Sequence, residues 1–211
     1  MTTKKDTEII VLDYLKAATN LYYYIPVKKL LEIYNSQNDP LTEIEFCNII
    51  ETILTEKQFF DLYSEEEIVT GKTDNTPTLE KILLAEHLYC LGDFEDYFEL
   101  KAATCGLPYC ILEKSSFLKY ANDFYVEKTL EFISLRSYFR NIPNLSRRDA
   151  DDLALEAADT LRLYNGNPES ILIRIKQLKI APKNQSKFDV FMQLCYNLNS
   201  KLRLASLRAQ P

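Results

Sequence analysis

Apolar residues recur at helical spacing along most of this chain, and the interruptions in that pattern mark where its elements end. From Glu8 to Ala18, the positions Ile9, Ile10, Leu12, Leu15 and Ala18 predict a first helix. Tyr22-Tyr23-Tyr24-Ile25 is aromatic and β-branched and reads as a short extended piece, after which Pro26 can open a second helix over residues 27–34. Asn35 to Pro40 is a turn cluster. Thr42 with Glu45 then makes a capping box for a third helix, with Ile44, Ile49, Ile50, Ile53 and Leu54 as its expected buried side. Phe59 to Tyr63 and Ile68 to Thr70 read as two strand-like pieces around an acidic turn at Ser64 to Glu67.

Helix, short strand, helix, helix, hairpin is the order of a winged helix. Residues 1–72 are therefore expected to form a winged-helix-like domain with a short β-hairpin, followed by a polar, turn-rich linker at 73–79 and an all-helical domain at 80–211. In that second part Leu79–Leu91, Phe94–Ala103, Ser115–Ala121 and Val126–Arg140 carry helical patterns. Ser146 with Asp149 starts a helix running to Tyr164, Asn165-Gly166 stops it, and Asn167-Pro168-Glu169 opens the next. Ser186 with Asp189 opens the last, with Phe188, Phe191, Cys195, Leu198 and Leu202 as its face.

Composition supports a mainly helical chain, because its 211 residues include only four glycines, too few for the tight turns of a sheet-rich fold. Fourteen Tyr and eleven Phe with no Trp suggest tyrosine-rich, half-buried faces available to a partner. No apolar run approaches membrane-spanning length and no apolar signal core follows Met1, so a cytoplasmic protein is expected. Five scattered cysteines then read as reduced thiols.

Charge divides the chain. Residues 1–72 hold 7 basic and 13 acidic side chains, 73–145 hold 7 and 11, and 146–211 hold 11 and 7, net charges of -6, -4 and +4. The third helix would expose Glu43, Glu45, Glu51 and Glu56 with only Lys57 against them, which suits phosphate poorly, since DNA affinity rests on Lys and Arg displacing counterions. The basic surplus near the C-terminus supplies the candidate binding residues Arg174, Lys176, Lys179, Lys183 and Lys187. Exposed aromatics are not interleaved with these cations as a single-strand platform needs, so a protein partner is expected ahead of nucleic acid.

Catalytic motifs are missing: there is no Gly-x-Ser-x-Gly, no P-loop and no His-Glu-x-x-His, and His87 is the only histidine. His87 and Cys90 stand at helical spacing, which explains their proximity without a nucleophilic dyad. His87, Cys90, Cys105 and Cys110 have donor types that suit zinc, but an ordinary helix turn and small buried thiols account for them better, and no metal or cofactor is expected. Glu86, Asp93, Glu95, Asp96 and Glu99 read as a solvated acidic face.

Three stretches carry a resemblance: Tyr24 to Asn35 with the following Thr42-Glu43-Ile44-Glu45-Phe46, Leu107 to Cys110 continuing to Phe117 to Asp123, and Phe191 to Leu204. With these the chain resembles a group of uncharacterised cytoplasmic proteins of low-GC Gram-positive bacteria, some of which carry a SEC-C zinc-binding tail. The resemblance implies common descent but no activity and no catalytic residue, and the sequence ends at Pro211 without that cysteine-rich tail. The expected function is a non-enzymatic regulator or adaptor acting through protein binding. The alternatives are a winged-helix DNA-binding regulator and a phage or mobile-element inhibitor that blocks a nucleic-acid site on its target.

Overall fold

The structure is a computed structural model that describes residues 4–90, 93–163, 167–182 and 184–210. It is mainly helical with one small sheet, and it divides into two compact units, Met1–Tyr125 and Val126–Pro211.

The first unit begins with α1 (Lys4–Tyr22), whose Val11, Tyr14, Leu15, Ala18, Leu21 and Tyr22 are buried at helical spacing. Tyr23 then takes a left-handed conformation (φ 63°) with its amide donating to Thr19 O at 3.1 Å, and this ends the helix. The chain continues as β1 (Tyr24–Pro26), α2 (Val27–Gln37) and α3 (Glu43–Ile53). Thr42 caps α3 as expected: the Glu45 amide donates to its Oγ1 at 3.2 Å while the Glu45 carboxylate accepts from the Thr42 amide at 2.9 Å. Phe46, Ile49 and Ile50 form the buried side, whereas Ile44, expected inside, is 74% exposed.

Next come β2 (Phe60–Tyr63), α4 (Glu65–Thr70) and β3 (Ile82–Ala85). The strand expected at Ile68–Thr70 is therefore a helix. Ser64 and Glu67 form a second capping box, three glutamates occupy the first turn where the helix dipole favours them, and Gly71 closes the end at φ 68°. The strand that pairs with β2 is β3, which was expected to lie within a helix over Leu79–Leu91. It is the middle strand of the order β1-β3-β2, antiparallel to both neighbours, with Leu83 opposite Ile25 and Leu62. All four of its residues are buried, so it shows an unbroken apolar run instead of an alternation, and such a run cannot be told from a buried helix by period.

Residues 73–79, expected as a linker, join neighbouring strands of this sheet and are tied down. Asp74 accepts from the Ser64 hydroxyl, from the Thr76 amide at 2.9 Å and from the Thr76 hydroxyl, and Thr78 donates to Glu51 on α3. Lys81 reaches back to Glu67 at 3.0 Å, both side chains being largely covered. The compact units separate elsewhere, between Tyr125 and Val126. Burial raises the Glu67 carboxyl pKa, but bonds from the Ser64 amide, Lys81 and the Asp74 amide outweigh it and leave the group below its usual 4.5. A depressed carboxyl contributes stability that is complete above the unfolded-state value and is lost as pH falls through the folded one. Urea titrations between about pH 7 and pH 3 should thus show stability falling below pH 4.5, and Glu67→Gln should flatten that dependence.

The unit is completed by α5 (Glu95–Ala103), α6 (Lys114–Phe117) and a 3-10 turn over Leu118–Ala121. Asn20 donates to Tyr120 O at 2.8 Å and Tyr22 to Cys110 O at 2.8 Å, which fixes this last segment to α1.

The second unit consists of α7 (Leu130–Arg140), α8 (Arg147–Leu163), α9 (Glu169–Gln177) and α10 (Gln185–Asn199). Ala150, Ala154, Ala157 and Ala158 make a buried stripe on α8 that lets α7 approach closely, and Phe132, Leu135 and Phe139 pack there with Phe191, Cys195 and Leu198 of α10. Ser146 accepts from the Asp149 amide at 3.1 Å and starts α8 as expected; Tyr164 and the Asn165-Gly166 stop lie outside the described residues. Asn184, not Ser186, caps α10, accepting from the Lys187 amide at 3.0 Å. Among the described residues no helix is long and apolar enough to cross a membrane.

Candidate functional site

With the compact units as boundaries, the charge asymmetry sharpens. Residues 1–125 carry 11 basic and 22 acidic side chains and residues 126–211 carry 14 and 9, which gives -11 and +5. Five of the fourteen basic residues of the second unit, Arg174, Lys176, Lys179, Lys183 and Lys187, fall between the C-terminal half of α9 and the first turn of α10. Arg174, Lys176, Lys179 and Lys187 are all exposed, and Lys183 lies outside the described residues. Arg174 already pairs with Glu156 of α8 at 2.5 Å, so it is partly neutralised. No carboxylate of the described residues pairs with Lys176, Lys179 or Lys187, and exposed Ile173, Leu178 and Val190 stand beside them in the same elements.

Lys179 is held in an unusual way. It follows α9 at φ 58°, with its amide donating to Lys176 O at 3.0 Å and the next amide, Ile180, donating to Ile175 O at 3.1 Å. This is the left-handed helix stop that glycine usually fills, and a lysine there costs about 1 kcal/mol. The dipole at the end of α9 favours a cation in the last turn but does not require one in a left-handed conformation.

The face of α3 has the opposite character. Glu43, Glu45, Glu51 and Glu56 are exposed around Ile44. Likewise Asp93, Glu95, Asp96 and Glu99 are exposed around α5, while Tyr97 between them points inward.

Nothing in the protein matches a known one: no family model, no curated protein and no solved structure does so.

The residues singled out for chemistry do not assemble. Among the described residues no three His, Cys, Asp or Glu side chains are grouped to hold a metal, so His87, Cys90, Cys105 and Cys110 are not brought together as a ligand set. His87 stands in a 3-10 turn after β3, its ring edge-on to Tyr23 at 4.5 Å between centroids, and burial holds its pKa down to about 4. Cys90 is an exposed thiol whose sulfur faces the His87 carbonyl at 3.9 Å, not the imidazole.

The tyrosines expected to form a partner-binding face are largely spent on the interior of the first unit. Tyr14, Tyr22, Tyr97 and Tyr120 are among its largest fully buried side chains. Three of these hydroxyls find internal acceptors, Tyr14 on Gln37 at 2.7 Å, Tyr22 on Cys110 O and Tyr97 on Glu65 at 3.0 Å, which is how a core can hold so many phenols. Burial, followed by the Glu65 charge, raises the Tyr97 pKa well above the phenolic range, so this group stays neutral.

One feature had no sequence signal. A cleft of about 620 Å³ opens between Thr7 and Ile10 of α1, the C-terminal end of α2 and Lys114. Asn38 organises its wall, donating to the Tyr14 hydroxyl and to Tyr34 O, each at 2.9 Å, while accepting from the Lys114 ammonium at 2.5 Å. Lys114 meets Asn38 across 76 residues of sequence, which no local pattern can announce.

Proposed function

We propose that this chain is a non-enzymatic adaptor or regulator that docks an acidic protein surface on the Lys176, Lys179 and Lys187 end of its helical unit. The observation that carries this reading is the set of exposed cations without anionic partners among the described residues, one of them kept in a conformation that favours glycine. Strained backbone clusters at functional positions, and Lys179 is one of six non-glycine residues with positive φ among the described residues. The adjacent Ile173 and Leu178 supply apolar area that charge alone lacks, and complementary charge governs encounter rate and partner choice.

Changing Lys176, Lys179 and Lys187 to Glu should slow association with the native partner at least tenfold and weaken its salt dependence, with the melting temperature nearly unchanged because exposed charges contribute little to folding. Lys179→Gly alone should raise the melting temperature slightly while weakening binding. Capture from the native host by wild type and triple variant, read by mass spectrometry and nucleic-acid staining, checks both. Equal capture by the two proteins, or retention that nuclease abolishes, would overturn the reading.

The second reading is a winged-helix DNA-binding regulator. What favours it is the order α1-β1-α2-α3-β2-α4-β3 with strands arranged β1-β3-β2, in which α3 takes the place of a recognition helix and residues 64–81, with α4 inserted, that of the wing. The acidic face of α3 opposes phosphate binding, so this reading stands behind the first. An acidic surface of that kind would also serve an inhibitor that occupies a nucleic-acid site on its target.

A further inference from the structure

Away from the α9 surface, the packed pair α7 and α8 gathers three arginines around one carboxylate. Arg140 of α7 grips Asp151 of α8 with two parallel bonds, Nε to Oδ1 and Nη2 to Oδ2, each at 2.5 Å. Arg136 lies one turn before Arg140 on α7, and Arg147 one turn before Asp151 on α8, which places each on the same side of its helix as a member of the pair. Asp151 is held below its usual value chiefly by the Arg140 bonds, with Arg136 and Arg147 acting in the same direction. The neighbouring Arg148 and Asp152 pair with each other at 3.9 Å and add no net charge.

Arg136 is the unusual member. Its guanidinium sits over the Phe132 ring at 5.9 Å, and its Nε is buried with no hydrogen-bond partner among the described residues. A desolvated cationic donor without an acceptor is costly and rare in a folded protein. An Nε–H without an acceptor, on a guanidinium that sits over a ring face, is a donor edge suited to an anion. Asp151 does not fill that role, because both its oxygens are engaged by Arg140. Three guanidinium groups against one carboxylate leave two positive charges, and a dianion balances them.

We propose that Arg136, Arg140 and Arg147, grouped around Asp151 on α7 and α8, form a binding site for a small dianion, the phosphate of a phosphomonoester. Arg136 supplies its unpaired Nε–H edge, exposed Arg147 supplies a second cation, and Arg140 is the positioning residue whose bond to Asp151 keeps the two helices in register.

The test titrates inorganic phosphate into the full chain near pH 7.5, with ionic strength held constant by chloride. Wild type should bind with millimolar or tighter affinity by calorimetry, and its melting temperature should rise by about 5 °C at tenfold the dissociation constant. Arg136→Gln, which keeps the stem and loses the charge, should weaken phosphate at least tenfold. Acetate, a monoanion, should bind at least tenfold more weakly than phosphate. Without any anion, Arg136→Met should melt no lower than wild type, since it removes the unsatisfied donor and keeps the apolar contact with Phe132. A blocked phosphoserine tripeptide and glycerol 1-phosphate, run in parallel, distinguish a phosphoprotein from a small metabolite as the source of the group. Absence of phosphate binding by wild type, equal affinities in wild type and Arg136→Gln, or acetate matching phosphate would each overturn the site. A fall in the anion-free melting temperature of Arg136→Met would do the same, by making the arginine structural.

Discussion

Ile50→Asp unfolds the first unit. Ile50 has no exposed surface and lies on the inner side of α3 with Phe46 and Ile49, and α3 packs against α1. A carboxylate introduced there meets no cation and no donor, so it is buried unpaired or the helix leaves its place. Either way the loss exceeds about 4 kcal/mol, a large part of the roughly 5–15 kcal/mol that stabilises a domain. Far-UV dichroism with a urea titration should show the first unit's transition lost or shifted to very low denaturant. Ile44→Asp is the matched control on the same helix. Ile44 is 74% exposed and adjoins the capped first turn, so the change should fall within about 0.5 kcal/mol of wild type. Similar behaviour of the two variants would mean that α3 presents a different side to the core.

Phe191→Ala should remove about 3–5 kcal/mol from the helical unit. Phe191 is fully buried on α10, with its ring 6.0 Å from that of Phe139 and 5.6 Å from that of Tyr138 on α7, so truncation leaves a void between two helices that their backbones hold apart. The alanine stripe of α8 offers no large side chain able to swing into the space. For a unit of this size the melting temperature should drop by roughly 15–30 °C, measurable by calorimetry. Phe188, on the same helix but only half-buried, should cost clearly less when truncated. If it cost as much, the core of the second unit would not be centred on Phe191.

Local rules carried the sequence interpretation wherever an element is decided by residues within one turn of each other. The Thr42 and Glu45 box, the Ser146 start of α8 and the Pro26 opening of α2 each depend on neighbours in sequence, and each stands where expected. The same chemistry could mislead through its context. Ser64 and Glu67 form as good a box as Thr42 and Glu45, yet they stand between two β-prone runs, whose pattern predicts a turn where α4 forms. On α10 the competition ran the other way: Asn184 and Ser186 are both capping types, and the asparagine two residues earlier won.

The candidate site was legible in kind more than in detail. A cationic surplus toward the C-terminus is a matter of counting, and exposure of Lys176, Lys179 and Lys187 follows from the apolar side of α9 formed by Ile171, Leu172 and Ile175. That Arg174 is paired with Glu156 depends on how α8 and α9 pack. The left-handed stop at Lys179 is likewise a property of the folded turn, since lysine carries no signal for it.

By itself, then, the sequence determined a mainly helical chain, most of its helix starts and the sign of charge at each end, because these depend on composition and on contacts a few residues apart. Tertiary structure decided the rest. The strand at Ile82–Ala85 exists because Tyr24 to Pro26 and Phe60 to Tyr63 close on it from both sides, and hydrogen bonds between distant segments leave no period in the sequence. The division at Tyr125 depends on the same long-range pairing, which draws residues 73–125 into the first unit, and the asymmetry of -11 against +5 emerges only once that boundary is known. Arg140 meets Asp151 because small alanine side chains on α8 admit α7 at close range, a consequence of packing that no spacing along the chain announces.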